Sequence, residues 1–375
     1  MRSIERGAEL LVAAARDAES VADAFRAASV RLRRLVPFDA AVWLTTDPVT
    51  GLPTAPTLTH GLEGRELGHT DCMRFWEREF LVEDANLYRD LGRADVPAAG
   101  LRLATGDHPA RSARFRDVLR PWGFTDELRV VLRVDGHPWG AVALMRDEGR
   151  PAFDARDVAL VARLSAPLAA AIRDHAQPPA PGGPEVPGPG LVLFAPGGEL
   201  VSVNDEARHW LEELVLLDGD APRHGTPLPL PLVAASTVVR ARAIAEDRDH
   251  GVARARAHSP RWGGWIACHA TCLRGADGTP GEIALVIGPA TAAEVAPLFT
   301  QAYGLTPRER EITELIARGV GTAEIAATLH LSTHTVRDYV KAIFEKVGVS
   351  SRGELVATLF AEHHAPLHTA PERVA

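Results

Sequence analysis

Thr333, Arg337 and Lys341 recur every four residues in the run THTVRDYVKAIFEKV, with His334 and Asp338 beside them. Helical spacing places these polar residues on one stripe, while Val336, Val340, Ile343, Phe344 and Val347 fall on the opposite one. The chemistry open to such a stripe is charged hydrogen bonding: guanidinium and ammonium groups donate, and hydroxyls and a carboxylate accept. A helix with one apolar and one cationic-polar face, set behind a tight turn, is how a small domain enters a DNA major groove. Lys341 and Lys346, the only two lysines in the chain, both fall within this run.

The elements that must position the stripe are legible from their ends. Thr306-Pro307-Arg308-Glu309 reads as a helix start: Thr306 caps, Pro307 fits the first helical position, and Glu309 returns a bond to the cap amide. Ile312, Leu315 and Ile316 form its apolar side, and Gly319 ends it where a left-handed residue is needed. A second helix begins near Gly321 or Thr322, with Glu324 offering the same reciprocal cap, and buries Ile325, Ala326 and Leu329. His330-Leu331-Ser332 makes the turn, with Ser332 capping the third helix. Gly348 stops that helix, and Ser350-Ser351 precede a fourth with apolar Leu355, Val356, Leu359 and Phe360.

These parts follow the pattern LTPRE, EIA, LS-x-x-TV and K-x-GV-x-SR. The chain supplies Leu305 to Glu309, Glu324 to Ala326, Leu331-Ser332, Thr335-Val336, Lys346, Gly348-Val349 and Ser351-Arg352. Over about a sixth of its length it resembles the LuxR/FixJ/NarL-type helix-turn-helix family. The resemblance implies base-edge contacts from Arg337, Asp338 and Lys341. Arg337 and Lys341 would donate to guanine O6 and N7, and Asp338 would accept from a cytosine amine. It implies phosphate contacts from Thr333, His334, Thr335, Tyr339, Lys346 and Arg352, which position without reading sequence. It also implies a homodimer through the fourth helix, at Leu355, Val356, Leu359 and Phe360.

Two positions depart from the pattern: Tyr339 stands where many relatives carry His, and His330 occupies a turn position that often holds a smaller residue. The stretch is not basic overall. Arg308, Arg310, Arg318, Arg337, Lys341, Lys346 and Arg352 are offset by Glu309, Glu311, Glu314, Glu324, Asp338, Glu345, Glu354 and Glu362. Non-specific affinity for double-stranded DNA is therefore expected to be modest and salt-sensitive, with binding relying on a dimer.

At 375 residues the chain calls for two or three domains, and a 46% hydrophobic content suffices for packed cores. A net charge of −8 excludes a general nucleic-acid coat, so any DNA contact must be local. The arginine-heavy basic content, with abundant Ala, Gly and Pro, fits high-GC bacterial coding. Three cysteines, Cys72, Cys268 and Cys272, form no disulfide framework and fit a reducing cytoplasm. The start, MRSIERGAELLVAAARDAES, reads as an amphipathic helix rather than a signal peptide. No uncharged apolar run approaches the ~20 residues that span a bilayer, so no membrane partner is expected.

The remaining chain divides at Gln177 to Gly190, QPPAPGGPEVPGPG, whose proline and glycine density favours an extended linker. Residues 1–175 contain a helix over Val21 to Val36 and a strand over Phe38 to Thr45. A hairpin follows, over Leu128 to Val134 and Trp139 to Met145, and then a closing helix capped by Asp154. That order resembles the GAF sensory fold. Residues 191–289 read as a hairpin, a helix capped by Asn204, a helix over Val233 to Ala245, and three strands. With V-x-V-N-x-x-A at Val201 to Ala207, this order resembles a PAS domain. The fold class is thus multidomain: an α+β GAF-like domain (1–175), a linker (176–190), an α+β PAS-like domain (191–289), a connecting segment (290–303), an all-α four-helix LuxR-type helix-turn-helix domain (304–365) and a tail (366–375).

Other chemistry fits less well. Cys268-His269-x-x-Cys272 invites zinc, but strand alternation puts the two cysteines on one face and His269 on the other, with no second cysteine pair. There is no G-x-x-x-x-G-K-[ST] phosphate loop, no G-x-S-x-G elbow and no paired-carboxylate cluster. Asp39 and Asp47 are misplaced for a phospho-acceptor, and no residue stands out as a cofactor anchor. No enzyme activity is expected. Trp43, Phe75, Trp76, Phe80, Trp122, Phe124 and Trp139 could line a ligand cavity or simply form core. The sequence points to a bacterial transcription regulator governed by a small-molecule or protein signal. The competing readings are an interaction adaptor and an enzyme carrying a DNA-binding appendage.

Overall fold

The computed structural model describes residues 2–62, 69–176, 187–217, 230–259, 261 and 264–356. Contacts divide the chain into two compact units, one holding residues 1–175, 186–259 and 266–289, and the other holding 290–375 with 176–185 and 260–265. Most of the linker, the last part of the fourth helix and the tail lie outside the described residues.

The first unit begins with α1 (Arg2–Arg16) and α2 (Val21–Leu35), the latter capped by Ser20, whose side chain accepts from the Asp23 amide. Then come β1 (Ala40–Thr46), β2 (Pro53–His60), α3 (His69–Phe80), α4 (Tyr88–Leu91), β3 (Ala98–Gly100) and α5 (Leu101–Thr105). The hairpin of β4 (Phe124–Val134) and β5 (His137–Asp147) turns on Asp135 and Gly136, both with positive φ. Paired positive φ values match the right-handed twist of the strands, which is why Asp-Gly is favoured there. The closing helix α6 (Ala155–Asp174) carries a reciprocal cap between Asp154 and Asp157.

These strands form an antiparallel sheet in the order β2-β1-β5-β4-β3. The strand β2 escaped sequence reading because Pro53 and Pro56 interrupt it. At the sheet edge a proline's missing donor costs no ladder bond, and β2 is an edge strand.

The same unit continues with β6 (Gly190–Phe194), β7 (Leu200–Val203), α7 (Asp205–Leu217), α8 (Leu232–Ala245), β8 (Arg254–Ser259), β9 (Gly264–Arg274) and β10 (Pro280–Pro289). Asn204 Oδ1 accepts from the Ala207 amide at 2.9 Å and the Leu191 amide at 2.8 Å, capping α7 and tying it to β6. The second sheet runs β7-β6-β10-β9-β8, which repeats the first sheet's order in its own numbering. Helix α8 is apolar nearly all round, and its residues are buried on every side.

The two sheets are joined inside this unit. Arg256 of β8 donates from Nε and Nη2 to both carboxylate oxygens of Asp47, each at 2.7 Å, and both side chains are fully buried. Arg242 of α8 pairs with Glu77 of α3 at 3.1 Å, and Arg240 donates to the Thr50 carbonyl. Asp47 also accepts from the Val49 and Thr50 amides, so the loop after β1 is built around the carboxylate that receives Arg256.

A second charged network lies under the first sheet. Arg114 and Arg129 both donate to Glu127, and Arg129 Nη1 donates to Glu79 Oε2 at 2.8 Å. Burial pushes the Glu127 carboxyl up, but the two guanidiniums beside it outweigh that and leave it below its ordinary value.

The second unit contains α9 (Ala292–Ala302), α10 (Pro307–Ala317), α11 (Thr322–Thr328), α12 (Thr333–Val347) and α13 (Arg352–Val356). Its core gathers Ile312, Ile316, Ile325, Val336, Ile343 and Leu355, together with Val295 and Leu305. The connecting segment, residues 290–303, forms the helix its sequence allows, and Val295 of that helix enters this core.

Candidate nucleic-acid interface

Helix α12 is held by its apolar stripe and displays its polar one. Val336 and Ile343 are fully buried and Val347 nearly so, while Arg337, Asp338 and Lys341 are exposed. Ser332 starts the helix, its Oγ accepting from the Thr335 amide at 3.0 Å and bonding Thr335 Oγ1 at 2.8 Å. Gly348 ends it with φ of 75°, donating its amide to the Phe344 carbonyl. The turn before α12 passes through His330 in the left-handed region, φ 54°, and the Leu331 amide reaches back to Ala326 O at 2.8 Å. His is among the few non-glycine residue types enriched in that region, so the turn tolerates it.

Within the stripe, His334 Nδ1 and Asp338 Oδ2 lie 2.9 Å apart, one helical turn separating them. This fixes the carboxylate while leaving its other oxygen to accept. Lys341 stands 3.9 Å from Glu345 with most of its side chain in solvent, a contact worth little in water. Thr333 and His334 are exposed, and Thr335 and Tyr339 are half-buried, Tyr339 packing partly on the core.

Two of the expected phosphate cations also make bonds inside the module. Lys346 Nζ bonds Glu309 Oε2 at 2.6 Å and the Gly304 carbonyl at 3.3 Å. Arg352 donates to the Val320 carbonyl at 3.1 Å and to Thr322 Oγ1 at 2.8 Å. Each ties a distant element to the helix-turn-helix. Arg308, which sequence reading left without a role, does the same by donating to the Leu329 carbonyl at the end of α11. No local pattern flags such a bond, because its partner lies 21 residues on.

The cap at Thr306 forms as read: the Thr306 amide donates to Glu309 Oε2 at 2.6 Å and the Glu309 amide to Thr306 Oγ1 at 3.3 Å. Burial pushes the Glu309 carboxyl up, but Lys346 and the Thr306 bonds outweigh it and hold it below the ordinary value. The reciprocal cap expected of Glu324 does not form, because the capping position is Gly321, which has no side chain. Among the dimer residues, Leu355 is a correction. It is 1% exposed in the core formed with Ile312 and Ile343, so it is not available to a second chain. Val356 is half-buried against the same core, and Leu359 and Phe360 lie outside the described residues.

The profile described as "Bacterial regulatory proteins, luxR family" matches residues 304–359, which span this interface. The spore germination protein GerE of Bacillus subtilis is 42% identical over 55 residues, a stretch covering 15% of this chain and 74% of that protein. The chain belongs to the luxR family of bacterial regulatory proteins. The transcriptional regulatory protein DesR of Bacillus subtilis is 44% identical over 59 residues, covering 16% of this chain and 30% of DesR. The probable HTH-type transcriptional regulator GfsR of Streptomyces halstedii is 34% identical over 92 residues, covering 24% of this chain and 38% of GfsR. Apart from GerE, these relatives are matched over little more than a third of their length. Ahead of the luxR-family module, residues 20–172 match the GAF domain. A solved GAF domain from the Acinetobacter phosphoenolpyruvate-protein phosphotransferase covers 46% of this chain and 93% of that one at 14% identity, with a TM-score of 0.32.

Cys268, by contrast, is a core residue of β9, and burial pushes its thiol up to about 12, far from a reactive or metal-binding thiolate. Among the described residues no three His, Cys, Asp or Glu side chains gather to hold a metal ion. No described helix is long and apolar enough to cross a membrane.

Proposed function

We propose that the chain is a sequence-specific DNA-binding transcriptional regulator, acting in the bacterial cytoplasm as a homodimer and controlled by a signal received in its first unit. The observation that carries this reading is the division of α12: Val336 and Ile343 anchor it while Arg337, Asp338 and Lys341 are exposed on the opposite side. Arg337 and Lys341 donate to guanine edges, and the free oxygen of Asp338 accepts from a cytosine amine. Thr333, His334, Thr335 and Tyr339 contact phosphates and set the register. Lys346 and Arg352 act mainly by holding the module in shape.

The second sheet, with its β-β-α-α-β-β-β order and its Asn204 cap, is PAS-like and shares the sensory role with the GAF domain. With Leu355 committed to the core, dimer contacts fall to Val356 and the residues beyond it. The near balance of charge in the module makes one copy a weak binder, so pairing two half-sites supplies the affinity.

Selection of an operator from a random-duplex pool, followed by titration at fixed salt, tests the reading. Arg337→Ala or Lys341→Ala should cost about 1–3 kcal/mol on the selected operator. Unchanged operator affinity in both variants would remove α12 from base recognition.

A further inference from the structure

His334 and Asp338 stand side by side at the start of α12, with Nδ1 and Oδ2 2.9 Å apart. Their side chains are 84% and 68% exposed, so both remain open to a ligand. An ionised carboxylate only accepts hydrogen bonds, so at this contact the proton sits on Nδ1. A neutral imidazole carries a single N–H, and here Asp338 takes it. Nε2, on the far edge of the ring, is then a bare lone pair. A phosphate oxygen also only accepts, and two lone pairs facing each other repel. The phosphate contact assigned to His334 therefore requires a second proton, on Nε2.

The charges around the ring decide when that proton arrives. Imidazole is the side chain that changes charge between about pH 5 and 8. Asp338 favours the second proton, while Arg337 on the next turn and the positive end of the helix oppose it. A DNA phosphate adds a negative charge at the opposite edge of the ring and tips this balance toward the imidazolium. The other element beside the start of α12 is the turn out of α11, where the exposed His330 is the titratable group. Among the described residues, Asp338 is the one charged group in contact with His334.

We propose that DNA binding at His334 takes up a proton, and that Asp338, by holding Nδ1–H, is the positioning residue that makes this uptake obligatory. The proposal rests on the regulator reading above and adds a regulation to the same site. One proton comes from solvent for each His334 that meets a phosphate, and two for a dimer on paired half-sites. Linkage is reciprocal, so operator affinity rises as pH falls through neutrality. Asp338 thus has two roles: one oxygen fixes the histidine tautomer, and the other stays open to a base edge.

Calorimetric titration of the full chain with the selected operator, in two buffers of different ionisation enthalpy, counts the protons directly. Uptake approaching one proton per chain is expected above neutral pH, with affinity falling by up to about tenfold per pH unit for each His334 engaged. His334→Gln keeps a donor but cannot titrate, so uptake should vanish and the pH profile flatten. Asp338→Asn frees Nδ1, so the neutral ring can carry its proton on Nε2 and donate without uptake. The count should therefore fall there as well, although His334 is present. His330→Asn, a residue the left-handed turn tolerates, should leave the count unchanged. Equal uptake in wild type and His334→Gln, undiminished uptake in Asp338→Asn, or loss of uptake in His330→Asn each overturns the proposal. Operator binding without proton uptake removes the linkage and leaves the regulator reading. Failure to bind DNA at any pH removes both.

Discussion

Arg129 and Arg337 carry the same guanidinium into opposite surroundings. Arg129 is fully buried, paired with Glu127 and Glu79, and lies over the Tyr88 ring with 4.3 Å between guanidinium and ring centroid. Arg337 is exposed on α12, opposite the residues that hold that helix in place. At these sites of the first unit charge is paired and inaccessible, as Arg256 and Asp47 show again between the two sheets. In the luxR-family unit the charges of the polar stripe of α12 stay in solvent, whereas Lys346 and Glu309 are paired away from it. Buried pairs specify a shape because neither partner has an alternative, whereas exposed charge stays available to a polyanion.

This contrast can be broken at either end. The largest effect is expected from Arg256→Met, which leaves Asp47 buried without its counter-charge and should cost the first unit about 3–5 kcal/mol. Residue-resolved hydrogen exchange of the full chain would read the loss on β8 and the Asp47 loop. The double change with Asp47→Asn should recover part of it, since the uncompensated charge is then gone. A loss under ~1 kcal/mol would mean that the pair does not hold the sheets together. Arg337→Ala should do the reverse, changing stability by less than ~0.5 kcal/mol while weakening operator binding.

A smaller effect is expected from Glu309→Gln, about 1–2 kcal/mol in the luxR-family unit through loss of the Lys346 pair. Its pH dependence sharpens the test. Folding lowers the Glu309 value, so the stability it adds is fully present above the ordinary glutamate value of about 4.3 and is lost as pH falls through the lowered one. The gap between wild type and Glu309→Gln, followed by exchange on α10, should therefore close on acidification. A gap that stays constant with pH would assign the effect to packing rather than charge.

Much of the luxR-family unit was legible because its signals are local. The Thr306–Glu309 cap, the Ser332 cap and Gly348 each act within a few residues, and the apolar stripe of α12 repeats at helical spacing. The long-range bonds of Lys346 and Arg352 were not legible, since their partners lie 37 and 30 residues away in sequence. Their phosphate role came from the family resemblance, which says nothing of these internal bonds. The first unit shows the same limit. Asp135-Gly136 and Asp154 announced their turn and helix, whereas Pro53 and Pro56 hid an edge strand. Asp47, set aside as a loop residue, meets Arg256 only through the fold, 209 residues on. Trp76 and Phe80 are buried like Trp43, Phe124 and Trp139, and they also border a cavity of about 240 Å³ beside the first sheet. Spacing alone could not tell which of these rings would border that space, because the packing of α3 on the sheet decides it.

The central claim is that the exposed stripe of α12 reads DNA sequence. Fluorescence anisotropy of the full chain and its Arg337→Ala, Lys341→Ala double variant would test it most directly, on the selected operator and on a scrambled duplex at one salt concentration. The stripe predicts a loss of at least about 1–3 kcal/mol on the operator and a much smaller one on the scrambled duplex. Equal losses on both duplexes would reduce these residues to phosphate contacts and contradict the claim.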